Sequence, residues 1–269
     1  MKKTDSDRAF LLFFAPKQLQ SAFAVIDLWN AELMDQLCMI TEPHMAMIRL
    51  QWWKDQLAQV AQSSVFSDVA MIQQLKELMA RFSLATQDFI AVLDGIADGL
   101  AVDEGTDAPS FARYLLAHQG GLLRLKAKMI GVEDQALKVI EALGAVYGLM
   151  RGVYSLSAPH AQINVRGIFR DYFLTGSRAD LAKTLKRKMD EILNHISRHD
   201  QLSFGERRVV IKSSDIIFQN CVHKKAGKKY FCALQTLANL YDQEILRANY
   251  SPQDFKPILF KELKIWWQS

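Results

Sequence analysis

Two apolar stretches that carry charges at helical spacing place the strongest constraint on how this chain folds. They run from Phe23 to Leu37 and from Met47 to Leu57. In the second stretch Ile48, Trp52 and Leu57 recur with a helical period, and polar side chains occupy the remaining directions. The pattern predicts two amphipathic helices that bury broad apolar faces against their neighbours.

The rest of the chain favours helices as well. Only 13 glycines and 6 prolines interrupt 269 residues, and β-branched residues rarely alternate with polar ones. Half of the residues are hydrophobic and 23% are charged, which is the composition of a globular protein with a substantial core. We therefore expect one all-α domain that spans residues 1–269.

Local start and stop signals predict where the helices begin and end. Proline suits a first helical turn, and Gly131 suits the position after a helix end. The run from Val102 to Pro109 and the irregular stretch 157–173 are predicted loops, the second placed to cover a cavity mouth. The predicted helices begin near Asp5, after Pro16, at Pro43, near Asp68, near Thr86, at Pro109 and after Gly131, and four more run from Arg178 to Arg198, Phe204 to about His223, Lys228 to Asn249 and Pro257 to Trp267.

Glycines inside two of the predicted helices indicate close packing. Each of Gly120 and Gly121 costs a helix roughly 1 kcal/mol relative to alanine, so we expect a tight helix crossing or a kink to compensate. Gly144, Gly148 and Gly152 are spaced by four and fall on one face of the next helix. That spacing predicts a neighbouring helix at short distance.

Charge and cysteine usage bear on partners and location. A net charge of +4 argues against a dedicated nucleic-acid-binding protein. The three cysteines lack the spacing of metal ligands, so we expect them to be reduced thiols of a cytosolic protein. No apolar run reaches the ~20 residues needed to cross a bilayer, and the first 17 residues do not match a signal peptide. We expect a cytoplasmic protein. The aromatic segment from Phe10 to Phe14 is expected either to be buried against the body of the protein or to make peripheral contact with the inner membrane.

Two interpretations of the Met47 to Leu57 helix stay open. In one, Trp52 and Trp53 fill a core between helices and each indole N–H finds a partner. In the other, Arg49, Gln51 and Lys54 point into a cavity, where a cation and an amide bind a phosphate or a partner's carboxylate. The spacing of the residues fits both.

The order of Asn-Ala-Glu-Leu, a proline and Ile-Arg-Leu-Gln-Trp-Trp-Lys-Asp resembles the squalene/phytoene synthase family, especially its divergent branch that includes mitochondrial complex I assembly factors. The resemblance extends from about Phe10 to the C-terminus. It implies a single-domain helical bundle of the terpenoid-synthase type around a central apolar cavity that holds an isoprenoid diphosphate or a lipid. It also implies a set of substrate-binding residues: Arg49, Trp52, Trp53, Lys54, Tyr114, Gly120, Gly121, Arg151, Tyr154 and Arg166.

The cations of that set have two interpretations. Arg49, Lys54, Arg151 and Arg166 are expected to gather around the diphosphate end of the cavity, or each pairs with a nearby acid at the surface. No Ser/His/Asp or Cys/His arrangement can be assembled from the spacing, so no catalytic residue is assigned.

The acidic motifs of the family are incomplete in this chain. Members that condense prenyl diphosphates need two carboxylate clusters that hold Mg²⁺. At the first motif only Glu32 and Asp35 are candidate metal ligands, because Leu33 and Leu37 occupy the positions of the paired aspartates. The stretch that follows Arg151 contains no carboxylate up to Gly167, so the second cluster is missing there.

Three functions follow from these observations. The first is an isoprenoid- or lipid-binding protein, or an assembly factor that contacts a respiratory-complex subunit, without standard magnesium-dependent synthesis. The second is an active prenyltransferase that condenses farnesyl or geranylgeranyl diphosphate with Mg²⁺ and an unusual acid set. The third is an interaction protein whose cavity is filled by its own side chains. The acid set of the second function comprises Asp27, Glu32, Asp35, Asp94 and Asp98.

Overall fold

The computed structural model describes residues 3–62, 69–100, 107–156, 181–199, 202–205, 208–211 and 224–249. These residues form an all-α bundle with one short antiparallel pair of strands, so the predicted fold class is confirmed. The helices are α1 (Lys3–Phe14), α2 (Gln20–Cys38), α3 (Pro43–Gln62), α4 (Ala70–Phe82), α5 (Thr86–Leu100), α6 (Ala108–Leu115), α7 (Gly121–Ile130), α8 (Asp134–Ser155), α9 (Leu181–His199) and α10 (Lys224–Arg247), and the strands are β1 (Leu202–Gly205) and β2 (Arg208–Ile211).

Local signals account for several helix ends. Pro43 opens α3 as predicted, because its missing N–H would have no partner in a first turn. The side chain of Asp107 caps α6 by accepting a hydrogen bond from the backbone N–H of Ser110 at 2.8 Å. Gly131 follows α7 with a φ of 82°, a left-handed conformation that glycine adopts without strain.

The helix α8 lies at the centre of the bundle. It packs against α6, α7, α9 and α10, and its residues from 142 to 150 are all buried. The helices α2 and α3 add the two largest fully buried side chains, Trp29 and Trp53. The two amphipathic helices predicted from the apolar stretches are therefore confirmed, and each buries one apolar face.

The helix from α6 to α7 contains a π-helical turn at Leu116–Gly120. This turn lies against α5 and α8, where glycines let the backbones approach closely. A Cβ on Gly120 would lie 2.6 Å from the carbonyl oxygen of Glu141, and one on Gly144 would lie 2.7 Å from that of Gln119. The predicted tight crossing at Gly120 is confirmed, and the close neighbour predicted for α8 is this π-helical turn.

Replacing Gly120 and Gly121 with alanine, one at a time, separates the steric cost of an added Cβ from the gain in helix propensity. Both glycines have helical backbone angles, so alanine fits their conformation. A Cβ on Gly120 meets backbone atoms, whereas one on Gly121 meets only Cγ2 of Val92, at 2.8 Å. We expect Gly120→Ala to lower the free energy of unfolding by roughly 1–3 kcal/mol and Gly121→Ala to cost clearly less. Urea unfolding of both variants measures the difference, and equal losses would contradict it.

The predicted helix from Phe204 to about His223 is wrong over its first part. Leu202–Gly205 and Arg208–Ile211 pair as antiparallel strands, with Phe204 opposite Val209. Three successive β-branched residues, Val209 to Ile211, favour the extended conformation. The predicted helix from Pro257 to Trp267 and the predicted loop at 157–173 lie outside the described residues.

The bundle interior differs from the apolar cavity that the resemblance implies. Asp7, His118, Lys126 and Asp242 are buried among the apolar side chains. Charged and hydrogen-bonding groups therefore line part of the described interior. None of the described helices combines the length and the hydropathy that a membrane-spanning helix requires.

Candidate functional site

The first buried polar group forms where α1 meets α8 and α10. Asp7 is 6% exposed, and its Oδ2 atom accepts hydrogen bonds from the hydroxyls of Tyr241 at 2.5 Å and Tyr147 at 3.2 Å. Nε of Arg151 lies 3.3 Å from the same oxygen. We call Asp7, Tyr147, Arg151 and Tyr241 the Asp7 cluster. Burial raises the pKa of both tyrosines, so they remain protonated hydrogen-bond donors at neutral pH.

The second buried polar group joins α2, α7 and α10. Nζ of Lys126 lies 2.6 Å from Oδ1 of Asp27 and 3.3 Å from the hydroxyl of Tyr230. The same ammonium lies 5.7 Å from the ring centroid of Phe23. We call Asp27, Lys126 and Tyr230 the Asp27 cluster. Burial by itself lowers the pKa of Lys126, but Asp27 and Tyr230 together outweigh burial and raise the pKa, so the lysine is charged.

The two clusters act on each other electrostatically. Burial opposes the charge of Arg151, but the acidic groups around it raise its pKa, and Asp27 of the other cluster is among them. The two clusters are carried by α1, α2, α7, α8 and α10. Together they place two cations, two carboxylates and three tyrosine hydroxyls in the bundle interior, and we call this set the interior polar region.

A third polar group surrounds His118 on the π-helical turn. Nε2 of His118 lies 2.9 Å from Oδ1 of Asn30, and Nδ1 lies 3.3 Å from the hydroxyl of Tyr114. Because Oδ1 of Asn30 is an acceptor, this geometry fits a neutral imidazole whose proton is on Nε2. Burial lowers the pKa of His118 to about 3. The ring is therefore uncharged at neutral pH.

Four of the predicted substrate-binding residues lie in or beside these groups. Arg151 belongs to the Asp7 cluster, and Tyr154 packs on Tyr241 with ring centroids 4.9 Å apart. Tyr114 contacts His118, and Gly120 lies in the crossing with α8. Gly120 faces the backbone of Glu141, so its absent side chain serves helix packing there.

The predicted residues of α3 and Gly121 serve other contacts. Trp53 is buried and its Nε1 donates to Oε1 of Gln36 at 3.1 Å, which confirms the core interpretation for this indole. The side chain of Arg49 is exposed and its guanidinium lies 5.5 Å from the ring centroid of the half-buried Trp52. Lys54 forms an ion pair with the exposed Asp94. Gly121 faces Val92 on α5.

The predicted cation cluster is therefore not assembled by the described residues. Arg49, Lys54 and Arg151 have three different partners, and Arg166 lies outside the described residues. Lys54 follows the alternative interpretation, in which a cation pairs with a nearby acid. Arg151 pairs with an acid too, but with a buried one.

The candidate metal ligands Glu32 and Asp35 lie on the outer face of α2. Oε1 of Glu32 accepts a hydrogen bond from Gln36 at 3.2 Å, and Asp35 is exposed. Within the described ranges, no group of three or more His, Cys, Asp or Glu side chains has the arrangement of a metal site. Glu32 and Asp35 therefore have no third ligand in this part of the chain.

The sequence analysis did not predict which residues pair with Arg151. It also did not predict the buried contacts of Lys126 and His118. A signal existed in the helical spacing, because each of these groups lies on an apolar face. Lys126 follows Leu122 by four residues and precedes Met129 by three, and both of those are buried. A charge at such a position indicates a buried partner, but the spacing does not say which residue the partner is.

Comparisons with known proteins are consistent with this all-α architecture. A family model described as squalene/phytoene synthase matches residues 1–154. No curated protein and no solved structure gave a match to the chain. The matched residues run from α1 to the last turn of α8, so they include Asp7, Asp27, Lys126 and Arg151, whereas the predicted resemblance extends to the C-terminus. Because the match covers more than half of the 269 residues, the chain belongs to the squalene/phytoene synthase family.

Proposed function

We propose that this squalene/phytoene-synthase-like protein binds an isoprenoid diphosphate, or a lipid with a comparable anionic headgroup, and does not catalyse standard magnesium-dependent prenyl transfer. One observation carries the proposal. Each of the two carboxylates in the interior polar region lies at hydrogen-bond or ion-pair distance from a cation of the chain itself. Asp27 pairs with Lys126, and Asp7 pairs with Arg151.

The donor set of this region does not suit Mg²⁺. Magnesium prefers several oxygen ligands, among them carboxylates that no other cation neutralises. Here a metal ion would have to compete with Lys126 for Asp27 and with Arg151 for Asp7, and like charges would meet in a medium of low dielectric constant. The described residues therefore do not fit a magnesium site in this region, and the chain's own cations supply the positive charge.

Those cations support direct recognition of a phosphate. A guanidinium and an ammonium both form charge-assisted hydrogen bonds with phosphate oxygens. The hydroxyl of Tyr230 accepts from Lys126, so its own proton is available as a neutral donor. The side chain of Arg151 is 31% exposed, so an anion can approach it from solvent. The ring of Phe23 lies against the Asp27 cluster, and apolar side chains of this kind suit contact with an isoprenoid chain.

The acid set of the active-transferase alternative is dispersed in the described structure. Asp27 faces Lys126, whereas Glu32 and Asp35 lie on the outer face of α2. Asp94 pairs with Lys54, and Asp98 is exposed. Two opposed carboxylate walls cannot be built from these five positions. The assembly-factor role stays a prediction of the family resemblance.

Calorimetric titration with farnesyl and geranylgeranyl diphosphate tests the proposal. We expect binding of similar affinity with Mg²⁺ and with EDTA, and no release of inorganic diphosphate during incubation. Arg151→Gln is expected to weaken binding roughly tenfold or more, the usual effect of losing one charge-assisted hydrogen bond.

A matched control is Arg124→Gln. Arg124 is also partly exposed and pairs with Glu141 at 2.7 Å, but it lies outside the interior polar region, so its replacement should leave the affinity unchanged. Binding that requires Mg²⁺ and proceeds with diphosphate release would overturn the proposal and restore the prenyltransferase. Absence of binding both to the two diphosphates and to vesicles that contain an anionic lipid would overturn it as well.

A further inference from the structure

The outer face of α2 combines exposed apolar side chains with acids. Leu28, Glu32, Asp35 and Met39 are spaced by four, three and four residues, so they share one face of the helix. The opposite face is buried in the core. Leu28 is 54% exposed and Met39 is 85% exposed, values that set this face apart from an ordinary polar helix surface.

This face forms one wall of an open groove against α4. The groove has a volume of about 550 Å³. Its apolar lining comes from Leu28 and Ala31 on α2, from Met39 directly after α2, and from Met71 on α4. Its polar lining comes from Glu32, Asp35, Gln36 and Gln74. An apolar groove between two helices that is open to solvent has the shape that receives a third helix.

The charge of the groove is opposite to that of the chain. Both charged side chains that line it, Glu32 and Asp35, are acids, whereas the whole chain carries a net charge of +4. The hydrogen bond from Gln36 holds the Glu32 carboxylate beside the groove. Glu32 and Asp35 are one helical turn apart, so together they attract a partner with basic residues at the same spacing.

Further exposed apolar side chains follow Met39 in the sequence. Met45, Met47 and Ile48 at the start of α3 are each about half exposed. Methionine side chains are flexible and polarisable, and they adapt to the side chains of a bound helix. Single exposed apolar residues are ordinary in folded proteins, but several of them that follow Met39 closely in the sequence favour an interaction surface.

We propose that the groove between α2 and α4 binds a basic amphipathic helix of a partner protein. The apolar face of that helix packs on Leu28, Met39 and Met71, and its lysines or arginines pair with Glu32 and Asp35. This surface is separate from the interior polar region, so the inference does not depend on the proposed ligand binding. It gives the two acids that were candidate metal ligands a role at the protein surface.

Fluorescence polarisation with labelled 18-residue peptides tests the proposal on the full chain. The probe is an amphipathic helix of leucine and lysine, and the counter-probe replaces lysine with glutamate. We expect the basic peptide to bind, the acidic peptide to bind at least tenfold more weakly, and added salt to weaken the basic complex. The double variant Glu32→Gln with Asp35→Asn should weaken it roughly tenfold, as expected for two partly exposed ion pairs.

The matched control removes the same charge elsewhere. Asp55→Asn with Asp98→Asn changes two exposed acids on α3 and α5 and should leave the affinity unchanged. Equal loss in both double variants, or equal affinity for the two peptides, would overturn the proposal. A concentration-dependent dimer that the groove variants dissociate would assign the surface to a second copy. Binding that appears only after Lys256, Lys261 and Lys264 are changed to glutamine would assign it to the chain's own end and overturn the proposal too.

Discussion

Lys126→Met is expected to lower the free energy of unfolding by about 3–5 kcal/mol. The ammonium of Lys126 is buried, and it neutralises Asp27 at 2.6 Å. Methionine fills a similar volume but leaves the Asp27 carboxylate, whose side chain is only 19% exposed, without its cation. The loss therefore comes mainly from an uncompensated charge in a poorly solvated position.

Urea unfolding of three matched variants checks this explanation. The double variant Asp27→Leu with Lys126→Met removes both charges, so it should recover most of the lost stability. Lys128→Met, two residues further along α7, removes one cation from Asp88, whose carboxylate keeps Nε of Arg124 at 3.8 Å, and we expect it to cost about 1 kcal/mol. A double variant as unstable as Lys126→Met alone would show that packing, and not the unpaired charge, causes the loss.

The buried His118 is expected to make the protein markedly less stable in mild acid. Its folded-state pKa is about 3, whereas an unfolded histidine titrates near 6.5. Between these values the unfolded chain binds the proton and the folded protein does not, so stability falls as the pH is lowered. From this one group we expect a loss of about 2 kcal/mol between pH 7 and pH 5, rising to about 4 kcal/mol at pH 3.5.

His118→Gln isolates that contribution. The substitution has its own cost at pH 7, because contacts with Asn30 and Tyr114 change, but it removes the titrating group. The unfolding free energy of the variant should therefore depend less steeply on pH between 7 and 5, where carboxylates titrate little. His44→Gln, at an exposed position, controls for the replacement of a histidine outside the core. Parallel pH profiles for the parent and His118→Gln would contradict the expectation.

Features that depend on neighbours in the sequence were predictable. Pro43 and Gly131 set helix ends through their own backbone chemistry, and Gly120 indicated a close crossing because its cost in a helix requires compensation. The start of the strand pair was missed, because a run of three β-branched residues is short and the partner strand lies beyond the next turn. Helical periodicity alone does not detect such a pair.

The contacts within the interior polar region could not be predicted from the sequence, for a physical reason. Asp27 and Lys126 are 99 positions apart, and no local pattern connects them. The family motif directed attention to Glu32 and Asp35 as interior ligands. The buried positions Phe23, Ile26, Leu33 and Leu37 have a helical period that leaves those two acids on the outside. A prediction based on this helical period, and not on the family motif, would have placed both acids on the outer face of α2.

The contact between Asp7 and Tyr241 has a consequence for synthesis on the ribosome. The two residues are 234 positions apart, so α1 emerges long before the hydroxyl that completes the environment of its carboxylate. At ordinary translation rates the delay is roughly 10 to 50 seconds. During that time α1 lacks its contacts with α10, and its apolar face is available to chaperones and proteases. A nascent chain that stalls before α10 therefore holds α1 only through contacts with α2 and α8, which distinguishes it from the finished protein.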